Sequence, residues 1–119
     1  MAAPNIVNVA TITGKTAVQL PTTTPADIVS NGAGSNTVLK INTLSIANVN
    51  GTAAATVNAS VFRSSVEYKL AHVISVPAGS TLVVLDKTNS IYLEEGDSLR
   101  LTASINSYLH AVCSYEIIA

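Results

Sequence analysis

An all-β fold of antiparallel sheets is what this sequence predicts, and three observations carry the prediction. Along Ser98–Ile105 the side chains alternate. Leu99, Leu101, Ala103 and Ile105 face one way, and Ser98, Arg100, Thr102 and Ser104 the other. That period of two marks a strand with one wet and one dry face. No long window repeats apolar groups at the three-and-four spacing of a helix. β-branched residues abound, and turn dipeptides interrupt the chain at short intervals.

The elements follow in order. Asn5–Thr13 reads as a first strand, broken by Gly14-Lys15 and continued by Thr16–Leu20. Pro21 and Pro25 bracket a stiff link that belongs at an edge or in a loop, because proline cannot donate to a ladder. Asp27–Ser30 is a brief strand, and Asn31–Asn36 a flexible loop. Val38–Asn50 is the longest extended segment. Its apolar phase changes from Leu39 and Ile41 to Leu44 and Ile46, which predicts a bulge near Asn42-Thr43 or burial of both faces. Asn50-Gly51 is a strong hairpin signal. Ala53–Phe62 returns with Ala55, Val57, Ala59 and Val61 inward, and Arg63-Ser64-Ser65 turns the chain again.

Val66–Val76 places Tyr68, Leu70, His72, Ile74 and Val76 on one face. Pro77–Ser80 is a turn, Thr81–Leu85 and Ile91–Leu93 are short strands, and Glu94–Asp97 is a tight turn. Asp97–Ile105 and Leu109–Ile118 are expected to close as a hairpin around Asn106-Ser107. About eight to ten short strands at this spacing signal an antiparallel β-sandwich, either jelly-roll-like or immunoglobulin-like. The 119 residues form one domain, residues 1–119. Residues 1–35, richer in Pro, Thr and Gly, read either as an arm contacting neighbours or as edge strands.

Composition narrows the function classes. The net charge of −1 and the lack of a basic stripe argue against a nucleic-acid partner. No apolar run approaches the roughly 18 residues of a spanning helix, so a membrane is not expected either. Charged residues are 11 % of the chain, against about 25 % in ordinary domains. That leaves a surface of Thr, Ser, Asn and Ala, suited to being covered by other protein. Met1–Asn5 shows no basic, apolar leader pattern, so the expectation is synthesis in a cytoplasm without a cleaved signal. Cys113, the one cysteine, reads as a small buried hydrophobe.

Candidate chemistry is thin. Glu94, Glu95 and Asp97 could hold calcium, but a tight turn at Gly96 explains the same residues. His72 and His110 are the only imidazoles and cannot form a multi-histidine zinc site. A pairing of His72 with Glu67 or Glu116 is the one conceivable base, and no Gly-x-Ser-x-Gly elbow occurs. Gly32-Ala33-Gly34 is not followed by the Lys-Ser/Thr of a phosphate cradle. No catalytic residue, cofactor site or metal site is expected, and the protein is not expected to be an enzyme. Tyr92 and Tyr108 fall near turns and could form a stacking platform for a glycan.

A family resemblance completes the reading. Thr43–Asn48 runs into Gly51–Val57, followed by Val76–Leu82, Ile91–Leu99 and a final Ser114–Ile117 strand. In that order the segments resemble small β-sandwich virion structural proteins of tailed bacteriophages, of the decoration, neck or tail accessory type. The resemblance spans Asn36–Ile118 and rests on turn-and-strand motifs. It implies a non-enzymatic virion component that decorates or cements the particle in many copies. Its implied partners are other virion proteins and itself, as a symmetric homo-oligomer with a trimer favoured by analogy. The alternative is a receptor- or glycan-binding module of a tail fibre.

Overall fold

The computed structural model describes residues 11–119. Nine strands follow in chain order: β1 (Ile12–Gln19), β2 (Ala26–Ser30), β3 (Val38–Asn48), β4 (Ala55–Arg63), β5 (Val66–Val76), β6 (Thr81–Leu85), β7 (Ile91–Leu93), β8 (Ser98–Ala103) and β9 (Leu109–Ile118). They form two antiparallel sheets. The first has the order β1-β9-β3-β6, with β7 also on β3; the second has the order β2-β8-β4-β5. Pairing is nested: β4 with β5, β3 with β6 and β7, β2 with β8, β1 with β9. With β6 and β7 counted as one interrupted strand, this is the jelly-roll order, which decides between the two sandwich types left open by the sequence.

The core lies between the sheets. Ile41, Leu44, Ile46, Leu93 and Leu109 from the first sheet meet Val57, Val76, Leu99 and Leu101 from the second, all essentially without solvent contact. Cys113 joins them, fully buried. The phase change in β3 is a bulge: register shifts against β9 between Ile41 and Thr43, so Ile41 and Leu44 both point inward. In β4, Ala55, Val57 and Ala59 are buried and Val61 is partly so, as the alternation predicts.

Two hairpin expectations are corrected. β3 and β4 lie in different sheets, so Asn50-Gly51 is an arch between layers and not a hairpin turn. Its Asn50 carboxamide oxygen accepts from the Thr52 and Ala53 backbone amides, closing the arch as an Asx turn. Gly51 does not take the left-handed conformation a type I′ turn requires. β8 and β9 likewise lie in different sheets, so the closing segment around Asn106-Ser107 is a second arch. β8 ends at Ala103, which leaves Ile105 exposed and not in the core. The tight hairpin is at Ser64-Ser65, where both residues have positive φ, 53° and 64°, between the paired Arg63 and Val66. That is type I′ geometry.

Two further differences have local causes. Gly14-Lys15 does not break β1; both residues pair in register with Glu116 and Tyr115 of β9. The expected strand Asn5–Thr13 falls mostly outside the described residues; of residues 1–35, those from 11 onward are described, and β1 and β2 within them are edge strands of their sheets. In β5 only Ala71 and Val76 are buried, while Tyr68, Leu70, His72 and Ile74 are exposed. Two register shifts against β4 move the phase, one of them at Val73, whose φ is 50° and whose amide donates to the Asn58 side chain.

The Asn31–Asn36 loop is tied down by a buried side chain. The Asn31 amide nitrogen donates to the carbonyls of Thr37 and Leu93, and its oxygen accepts from Ser35 and Thr37 hydroxyls. Asn48 makes the matching clip at the other arch, donating to the carbonyls of Ala53 and Val76. Each buried amide replaces water for backbone groups at a layer crossing.

Candidate interaction surfaces

The outer face of the first sheet follows from strand register, because directly paired residues share a face. Val18 of β1 pairs with Val112 of β9, Val112 with Ser45 of β3, and Ser45 with Val83 of β6. This row crosses four strands without a charged group. Val18, Val112 and Val83 are 74 %, 41 % and 57 % exposed. The neighbouring row holds His110, Ala47 and Thr81, with exposed Leu20 beside it.

Toward the other end of the same sheet the surface turns basic. Lys40 of β3 and Lys87 of the β6–β7 loop line one open depression of about 650 Å³, and Lys15 of the edge strand β1, in register with core-packed Tyr115, borders it. Thr16, Asn42, Ser114 and Glu116 complete much of its wall, and the Asn42 amide donates to Glu116 at 3.2 Å. These lysines are 25 and 47 positions apart, and only the sheet order brings them together. No sequence motif marks them; the register of β1, β9 and β3 does.

The acid cluster is already occupied. The Arg63 guanidinium, at the end of β4, donates from Nε to Asp97 Oδ1 at 2.8 Å and from Nη2 to both Asp97 and Glu94. The backbone amide of Glu94 donates to the same Asp97 carboxylate at 2.8 Å. Arg63 therefore holds the buried Asp97 carboxyl below the usual carboxylate range. The Glu95 carboxylate accepts from the Asn36 amide. These contacts give the three acids a structural role, which is to fasten the type II turn at Gly96, whose φ is 89°, to the second sheet. No metal-holding group of acids, His and Cys occurs among the described residues.

The remaining candidates are separated. His72 lies on β5 of the second sheet and His110 on β9 of the first. Glu67 accepts from Ser60 and Lys69, and the Ser60 hydroxyl is the main reason its carboxyl titrates lower than usual. Tyr92 pairs with Lys40, whereas the Tyr108 carbonyl accepts from Val49. From Lys40 to Val49 the extended chain covers about 30 Å. The two tyrosines do not form one platform. Tyr92 instead shares an end cleft with Tyr68, Val61 and Ile91. On the outer face of the second sheet, Arg100 stacks 3.7 Å from the Phe62 ring centroid and pairs with Asp27 at 2.9 Å.

No protein-family model matches the chain, and no curated protein matches it. Among solved structures it is similar to a Bacillus protein described under "Bacillus endospore appendages form a novel family of disulfide-linked pili". The TM-score is 0.53 at 13 % identity, covering 100 % of this chain and 96 % of that one. At this identity the likeness concerns the fold: a two-sheet antiparallel sandwich, here in jelly-roll order.

Proposed function

We propose that this chain is a non-enzymatic structural protein working in many copies, and specifically a tailed-bacteriophage virion protein that decorates or cements the particle on its capsid, neck or tail. The observation that carries the reading is the uncharged Val18–Val112–Ser45–Val83 row, which crosses four strands of one sheet face with three exposed valines. Exposed apolar bands of this kind mark protein contact surfaces. The sequence resemblance supplies the virion, and the pilus protein of similar fold supports the multi-copy part of the reading.

The mode of assembly differs from that neighbour's disulfide linkage. The single cysteine, Cys113, is fully buried in the core, and burial pushes its thiol up to about 11. Contacts between copies are therefore non-covalent in this proposal, with a cyclic homo-oligomer as the expected unit. The test is quantitative mass spectrometry and antibody labelling of gradient-purified phage particles. Many copies per particle, running as a monomer on a non-reducing denaturing gel, are expected. Absence of the chain from purified particles would end the virion reading. The tail-fibre alternative no longer has the joint Tyr92–Tyr108 platform as its support.

A further inference from the structure

Three of the six cationic side chains are matched by carboxylates: Arg63 with Asp97 and Glu94, Lys69 with Glu67, and Arg100 with Asp27. All belong to the second sheet or its connections. The other three, Lys15, Lys40 and Lys87, have no ion pair among the described residues, and all three lie at the same depression on the first sheet. A chain of net charge −1 thus sets the unmatched Lys40 and Lys87 at this depression, with Lys15 at its β1 edge, against the single carboxylate of Glu116.

We infer that this depression binds an acidic saccharide, with the lysines meeting a sugar carboxylate or sulfate and the neutral side chains meeting its hydroxyls. The lining selects that class. Thr16, Ser114 and Asn42 offer hydroxyl and amide groups beside the ammonium groups, and no aliphatic side chain lines the site. Tyr115 borders it, but that side chain packs against the core. A protein partner would need an apolar or aromatic anchor pocket, which this depression lacks. A nucleic acid would need a longer basic track, since its affinity comes from neutralising several phosphates in a row. The volume of about 650 Å³ suits a small ligand of one or a few rings. The inference does not depend on where the chain sits on a particle.

Gly14 supplies an independent handle. It lines the depression in register with Glu116 of β9 and, through it, with Lys40 of β3. Its φ is ordinary, and a Cβ there would meet nothing within 4 Å. Gly14→Tyr therefore fills the site without removing a charge or straining the backbone.

The experiment titrates the full chain with a hexasaccharide of galacturonate, a sulfated hexasaccharide and a neutral glucan hexasaccharide, followed by backbone-amide NMR. The two acidic arms tell a carboxylated source from a sulfated one. Binding by at least one acidic sugar is expected, with shifts centred on Lys40, Ser114 and Glu116. Lys40→Gln and Lys87→Gln should each weaken it by about 5-fold or more, as loss of a charge-assisted hydrogen bond does. Gly14→Tyr should weaken it similarly, while Lys69→Gln on the other sheet leaves it unchanged; unaltered melting of each variant shows that the fold is intact. Equal binding of the neutral sugar overturns the proposal, as does indifference to Gly14→Tyr. Tighter binding of hexaglutamate or of a six-nucleotide thymidine strand at the same amides overturns it too, in favour of a protein or nucleic-acid partner.

Discussion

Leu101 and Arg63 show what single side chains contribute here. Leu101 sits on the central strand β8 at 1 % exposure. Leu101→Ala should lower unfolding free energy by about 2–5 kcal/mol, measured by urea titration. Ile105, in phase with it by sequence, lies beyond the strand end and is 40 % exposed; Ile105→Ala should cost less than about 0.5 kcal/mol. Arg63 acts through Asp97, whose carboxyl is held low by the guanidinium and by the Glu94 amide. A folded-state value below the unfolded one means that ionisation favours folding. That stabilisation is complete above the unfolded value near pH 4 and is lost as pH falls through the lowered folded value. Arg63→Met should therefore melt below the wild type at pH 7, with the gap narrowing as pH is lowered from about 4 toward 2. A gap that stays constant over that range would show that the ion pair is not what Arg63 contributes.

At the scale of elements, the β4–β5 hairpin is held by a turn whose geometry is right and whose residues are not. Ser64 and Ser65 both sit in the left-handed region, which L-residues with a Cβ enter at a cost of about 1 kcal/mol each. The double substitution Ser64→Asn with Ser65→Gly should raise stability by about 0.5–2 kcal/mol, read as a higher melting temperature. The same contrast between local signal and tertiary placement explains what the sequence reveals of the fold. β4 and β8 are central strands with one face on the core, so their apolar alternation is clean and legible. β5 is an edge strand largely exposed along its length, and two bulges shift its phase, so Tyr68 and Leu70 mimic core positions they do not hold. Asn50-Gly51 announces a tight change of direction correctly. A local dipeptide, however, carries no information about which sheet receives the next strand. The basic depression is illegible in the sequence for the same reason: Lys15, Lys40 and Lys87 acquire a common address only from the pairing of β1, β9 and β3.

For the whole molecule, the question is which face of a nearly neutral sandwich with open edges would meet other copies in the proposed multi-copy role. Its second sheet is screened on the outside by charged pairs, Arg100 with Asp27 and Lys69 with Glu67, and by the Arg100–Phe62 stack. The outer face of the first sheet has no such cover across the Val18–Val112–Val83 band. The two faces therefore differ in what they can bury: the second would have to desolvate paired charges, which is expensive, whereas the first gives up only apolar and hydroxyl surface. In the proposed multi-copy role, the first face is the cheaper contact. Val112→Lys puts a charge at the centre of that band while its side chain remains in solvent in the free subunit. It should leave the melting temperature within about 2 °C of wild type, yet abolish oligomer formation in sedimentation and incorporation into particles. Val73→Lys, a change at a still more exposed valine on β5, should do neither. If the β5 substitution disrupts assembly and the β9 substitution does not, the contact runs along the open edge of the second sheet, and the flat face of the first is bystander surface.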